Sequence, residues 1–144
     1  MENEATFQRI AVELQSVLEE GLPGIPWKQE MLGGAFPKDM AGYFFCDRID
    51  YKRLTEAQRV TIATFTIELV CANPVKNGGN HRIDNHAIEI RKALDAHRTL
   101  NGLARRSDVE QILFGSPQGS ANIGVALITY TVEFYEPMED FTIF

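Results

Sequence analysis

Residues Arg82 to Glu136, RIDNHAIEIRKALDAHRTLNGLARRSDVEQILFGSPQGSANIGVALITYTVEFYE, decide how this chain folds. Ile83, Ala87, Ile90 and Leu94 recur at spacings of 4, 3 and 4, which is one stripe of an α-helix. Val109 to Phe114 predicts a short strand. From about Asn122 to Glu136 the period falls to two, and Ala126, Ile128, Tyr130, Val132 and Phe134 line one face of a long strand. The turn-rich run Gly115 to Ser120 joins the two strands as a hairpin. The polar residues of the stretch form no catalytic pattern.

Upstream, Phe7, Ile10, Ala11, Leu14, Val17 and Leu18 give a broad apolar face to a helix from Asn3 to about Glu20. Glu2 and Glu4 suit its positive end, and Gly21 with Pro23 stops it. Leu22 to Pro37 is rich in glycine and proline, with room for a short edge strand from Trp27 to Leu32. Trp27, the only tryptophan, anchors either the core or an interface.

Tyr43 to about Leu54 and Arg59 to Ala72 predict a long antiparallel hairpin turning at Thr55 to Gln58. In its first strand Tyr43, Phe45, Asp47, Ile49 and Tyr51 alternate against Phe44, Cys46, Arg48 and Asp50. In its second, Ala63, Phe65, Ile67, Leu69 and Cys71 oppose Ile62, Thr64, Thr66 and Glu68. Strands of this length span about 40 Å, whereas a domain of this size is roughly 30–35 Å across. The hairpin tip, charged at Asp47, Arg48, Asp50, Lys52, Arg53, Glu56 and Arg59, is therefore expected to project, either as a solvated arm or as one that meets a charged neighbour. Asn73 to Asn80 is a loop, and Asn101-Gly102 closes the following helix.

The expected fold is α+β: an antiparallel or mixed β-sheet with a long projecting hairpin, flanked by two main helices. A single domain spans 1–144, with 137–144 as a C-terminal tail whose Phe141, Ile143 and Phe144 either dock on a neighbour or fold back.

The formal charge is −6 over 144 residues, with 44% hydrophobic and 24% charged residues. That balance is ordinary for a globular protein and argues against broad binding to nucleic acid, which requires a basic surface. Lys92, His97, Arg98, Arg105 and Arg106 are close in sequence and read as solvated surface. No apolar run approaches a membrane span, and the acidic start is unlike a signal peptide, so synthesis and residence in a cytoplasm are expected. Cys46 and Cys71 read as small buried hydrophobes; a disulfide between them is the minor reading.

Chemistry is sparse. His81, Asp84 and His86 form the best metal-ligand cluster, but two histidines five apart on a helix stand about 140° from each other. Ser16, Ser107, Ser116 and Ser120 lie in no nucleophile elbow, and Gly33-Gly34 and Gly78-Gly79 match no phosphate-binding loop. No catalytic residue, cofactor-binding residue or metal ligand is assigned, and no cofactor is expected. A small metal-dependent enzyme built on His81 and His86, or a binding domain for a small ligand, are the readings from other classes.

Glu89 to Leu94, Arg98 to Leu103, Val109 to Gly115 and Val125 to Tyr135 together resemble the C-terminal half of the tail terminators, or tail-completion proteins, of long-tailed bacteriophages. In that family a basic-aliphatic helix leads to a leucine-x-glycine-leucine turn, here Leu100 to Leu103, then to a strand and a long aliphatic-to-aromatic strand. The upstream helix and hairpin fit as well. The resemblance implies a virion structural protein, not an enzyme. It would form a homo-oligomeric ring, commonly a hexamer, that caps the tail-tube protein, ends its polymerisation and presents the surface for head–tail joining. Its implied partners are other copies of itself, the tube protein and the head–tail connector, or neck, protein. DNA would pass through the ring without specific binding, and no membrane is involved. The protein would reside in the virion tail or neck after assembly in the host cytoplasm. A neck component is the alternative, because neck proteins share the pattern.

Overall fold

The computed structural model describes residues 6–30, 40–53, 58–72, 79–115 and 123–137. Two helices, α1 (Thr6–Gly21) and α2 (Gly79–Ala96), and five strands follow one another as α1, β1 (Trp27–Lys28), β2 (Met40–Arg53), β3 (Gln58–Ala72), α2, β4 (Arg106–Gly115) and β5 (Ile123–Pro137). The strands form one sheet in the order β1-β2-β3-β5-β4. All neighbours are antiparallel except β1, which runs parallel to β2 through Trp27↔Gly42 and Lys28↔Tyr43. The α+β class, the mixed sheet and the two helices are thus as the sequence implies.

Both helices lie against one face of the sheet. Ile10, Leu14, Val17 and Leu18 of α1 and Ile83, Ala87, Ile90 and Leu94 of α2 are buried with Ala63, Phe65, Ile67 and Leu69 of β3 and Ala126, Ile128, Tyr130, Val132 and Phe134 of β5. These are the stripes that the 3.6 and 2.0 periods select. Phe7 stacks on Phe65 with ring centroids 5.9 Å apart. The helices touch closely at Gly21, where an added Cβ would stand 2.8 Å from that of Ala93. Gly21, expected as a stop signal, therefore also sets the helix–helix distance.

Trp27 takes the core option. It is 6% exposed, and its ring lies so close over Gly42 that a Cβ there would come within 2.3 Å. The expected edge strand is present but short. Leu32, the two glycines after it, the tail beyond Pro137 and the N-terminal acids fall outside the described residues.

A finer expectation is corrected. Beyond the helices the β2–β3 pair is not a two-stranded arm, because β5 accompanies β3 along its whole length, from Ala72↔Ile123 to Gln58↔Pro137. Fifteen strand residues span about 50 Å, while helices of 16 and 18 residues span roughly 24 and 27 Å, so the sheet outruns its helical layer. What extends is three strands wide. The sequence marks each strand but not which hairpins join.

The connection after α2 is left-handed. Leu100, Asn101 and Gly102 have φ of 48°, 61° and 85°. Ala104 N–H donates to Thr99 O at 2.8 Å and closes the turn, and the Leu100 side chain is fully buried. The leucine-x-glycine-leucine run is therefore a core plug and a reversal, with glycine where a Cβ is most strained.

Candidate interaction surface

The sheet face away from the helices can be read in rows from the register. From the end nearest β1 the rows are Ala41–Val70–Val125–Gly115, Tyr43–Glu68–Leu127–Leu113, Phe45–Thr66–Thr129–Gln111, Arg48–Thr64–Thr131–Asp108 and Asp50–Ile62–Glu133–Arg106. The first row is apolar, the second adds Glu68 to apolar neighbours, the next two carry threonines, and the last two carry the charged Arg48, Asp108, Asp50, Glu133 and Arg106.

Two irregularities shape this face. In β2 the register jumps between Cys46 and Arg48, leaving Asp47 as an extra residue. In β4 it jumps between Val109 and Gln111, leaving Glu110. A one-residue bulge reverses which side chains face the core. Phe44 and Cys46 thus share the helix side with Ile49 and Tyr51, which corrects the unbroken alternation expected for β2. The signal was in the sequence as a change of parity: the inward residues of β2 are even-numbered before Asp47 and odd-numbered after it, and those of β4 go from odd-numbered Val109 to even-numbered Ile112. Each bulge residue is an acid held by a threonine of a central strand. Asp47 accepts from Thr66 Oγ1 at 2.7 Å, and Glu110 accepts from Thr131 Oγ1 at 3.0 Å.

The basic run is largely matched by acids. Arg98 Nη2 lies 2.7 Å from Asp108, and Arg105 and Arg106 both reach Glu133. Arg105 also lies over the ring of Tyr135, and Arg91 pairs with Asp95 one turn on. His97 faces Glu20 at 3.5 Å. At the far end of the sheet Arg59 lies 4.0 Å over the ring of Tyr51 and 3.8 Å from Glu136, which accepts from the Thr61 hydroxyl. Tyr51 and Tyr135 remain exposed on opposite faces of this end.

The other candidates separate. Cys71 is opposite Met40, six residues along β2 from Cys46, so the two thiols are about 20 Å apart and do not form a disulfide. Burial pushes the Cys46 thiol up, and its Sγ donates to Arg48 O. His81, Asp84 and His86 all fall within α2. Among the described residues no three metal-ligating side chains converge, and the His81 side chain lies outside them. Ser107 is buried and donates to Arg98 O at 2.9 Å, a structural bond. Ser116 and Ser120 lie outside the described residues.

Tyr130 is fully buried, and that burial pushes its phenol up to about 12, with the nearby Ser107 hydroxyl opposing. A depression of about 160 Å³ lined by Ile62, Arg106, Asp108, Glu110, Thr131 and Glu133 is smaller than the several hundred Å³ of usual ligand pockets. No described helix is long and apolar enough to cross a membrane.

What the sheet offers instead is edges. β1 covers β2 only at Gly42 and Tyr43, and β4 is the last strand on the other side. Among the described residues Phe44–Arg53 and Arg106–Gly115 therefore have no strand on their outer sides. Leu113 and Phe114, at the end of the β4 edge, are 53% and 49% exposed on opposite faces.

No protein-family model and no curated protein matches the chain. Among solved structures, one similar chain belongs to the "Virion of native gene transfer agent (GTA) particle", at 10% identity and a TM-score of 0.41, over 88% of this chain and 92% of that one. A second is 15% identical with a TM-score of 0.41, over 88% of this chain and 94% of that one. At these scores neither overlay carries an argument about function.

Proposed function

We propose that this chain is a bacteriophage virion structural protein whose copies join into a ring, commonly a hexamer in the family it resembles, that caps the tail tube, ends its polymerisation and receives the head connector. The observation that carries this reading is one sheet with two long open edges at opposite sides. Unpaired strand edges attract other strands, and a monomer ordinarily shortens or covers them. The residue pattern from Glu89 to Tyr135, which resembles tail terminators, supports the same reading. The net charge of −6 is compatible with a channel that lets DNA pass without holding it.

The test is electron microscopy of tails assembled in a phage lacking this protein. Tubes of excessive length without heads are the expected result. Tails of normal length that fail to attach would move the protein to the neck. Normal, joined tails would overturn a role in assembly.

A further inference from the structure

We infer that copies of this chain join edge to edge, the outer side of β4 in one copy pairing antiparallel with the outer side of β2 in the next, in a register set by charge. The inference rests on the proposed assembling role and names the surface that performs it.

Strand direction permits the joint. Each step from β2 to β3 to β5 to β4 is antiparallel, so β2 and β4 run in opposite senses. Two copies in the same orientation can then continue one antiparallel sheet. The contact is head to tail, the kind that closes into a ring.

The side chains specify the level. When the rows of one copy are continued into the next, Arg106 meets Asp50 and Asp108 meets Arg48 on the helix-free face. On the helix side Val109 meets Cys46 and Ile112 meets Phe44. Opposite charges and apolar pairs directly across antiparallel strands favour the pairing. Sliding by two residues keeps the faces but not the charges. One direction sets Arg106 against Arg48, and the other sets Arg106 against Lys52 and Asp108 against Asp50.

The bulges agree. A bulge on one edge alone would throw the pairing out of step, and bulged, charged edges ordinarily discourage it. Here each edge has gained one residue at nearly the same level, beside the Phe65–Tyr130 row. The two insertions keep the counts equal across the joint. Arg48, now 3.0 Å from Asp50 of its own strand with both side chains well exposed, is free to exchange partners at little cost.

The test is a covalent trap in the full chain. A Val109→Cys variant under mild oxidation is expected to form a ladder of disulfide-linked oligomers with the native Cys46 of neighbouring copies, reversed by reductant and lost when Cys46→Ser is added. The bond cannot form within one copy, where β2 and β4 stand three strand spacings, about 14 Å, apart. Separately, Arg48→Asp or Asp108→Arg is expected to weaken self-association about tenfold by light scattering, and the two together to restore it. A disulfide-linked dimer that survives Cys46→Ser would mean that β4 meets β4, and overturns the proposal. No ladder from a protein that still sizes as an oligomer overturns the edge joint and leaves the assembling role standing. No ladder from a protein that stays monomeric at all concentrations overturns the edge joint, while the assembling role is decided by the tails made without the protein.

Discussion

The two central strands and the two outer long strands of this sheet obey different rules. β3 and β5 pair over fifteen residues without a break, and their inward side chains from Ala63 to Cys71 and from Ala126 to Phe134 are almost wholly buried. β2 and β4 each carry a bulge and charged side chains, and among the described residues the outer side of β4 has no strand and that of β2 has only β1, at Gly42 and Tyr43. The centre has a strand on both sides and helices above, so a residue added there would turn half a strand inside out. An outer strand is held on one side only and absorbs an extra residue by bending. The core thus fixes the centre, while the edges are held less tightly.

Deletions should break this comparison most sharply. Removing Thr66 from β3 reverses Phe65 and Ala63 relative to Ile67 and Leu69, and cooperative unfolding by circular dichroism is expected to disappear. Removing Asp47 from β2 deletes only the bulge and leaves every other pair of β2 in step. It is expected to cost about 1 kcal/mol in urea denaturation, the worth of its hydrogen bond to Thr66. Among substitutions in the centre, Phe65→Ala should cost about 3–5 kcal/mol by leaving a cavity under Phe7.

Tyr130 gives the centre a pH signature. Burial pushes its phenol up to about 12 in the fold, from the ordinary tyrosine value of about 10. The folded pKa is the raised one, so its contribution is complete below pH 10 and is lost as pH rises from 10 through 12. The loss approaches about 2–3 kcal/mol at the upper limit. Denaturation curves of Tyr130→Phe should fall less steeply than wild type across that window, and parallel curves would contradict the assignment.

Smaller effects sharpen where the centre ends. Gly42 belongs to an outer strand but lies beneath Trp27, so Gly42→Ala is expected to cost about 1–3 kcal/mol, measured as a lowered urea midpoint. Gly102 has open space around it and φ of 85°, so Gly102→Ala should cost only about 1 kcal/mol, all of it conformational.

These differences explain what could be read from residues alone. The stripe Ile83, Ala87, Ile90, Leu94 and the faces of β3 and β5 were legible, because a fully buried face tolerates few residue types. The unbroken alternation expected for β2 failed at Asp47. A strand half in solvent mixes polar and apolar residues, and a one-residue change of parity is easily lost in that mixture. The basic run around Arg98 to Arg106 showed its charge but not its partners, since Asp108 and Glu133 reach it through strand pairing.

The sequence by itself determined the two helices, the long strands and the buried stripes of α2, β3 and β5, because these follow from local periodicity; α2 ends at Ala96, ahead of the expected stop at Asn101-Gly102. Only the tertiary structure decided that β3 lies beside β5, that Cys46 and Cys71 stay apart, and that β2 and β4 are left as open edges. Those outcomes depend on hydrogen bonds between residues far apart in the chain. Such bonds join backbone groups that nearly every residue carries, so side-chain pattern alone does not announce them.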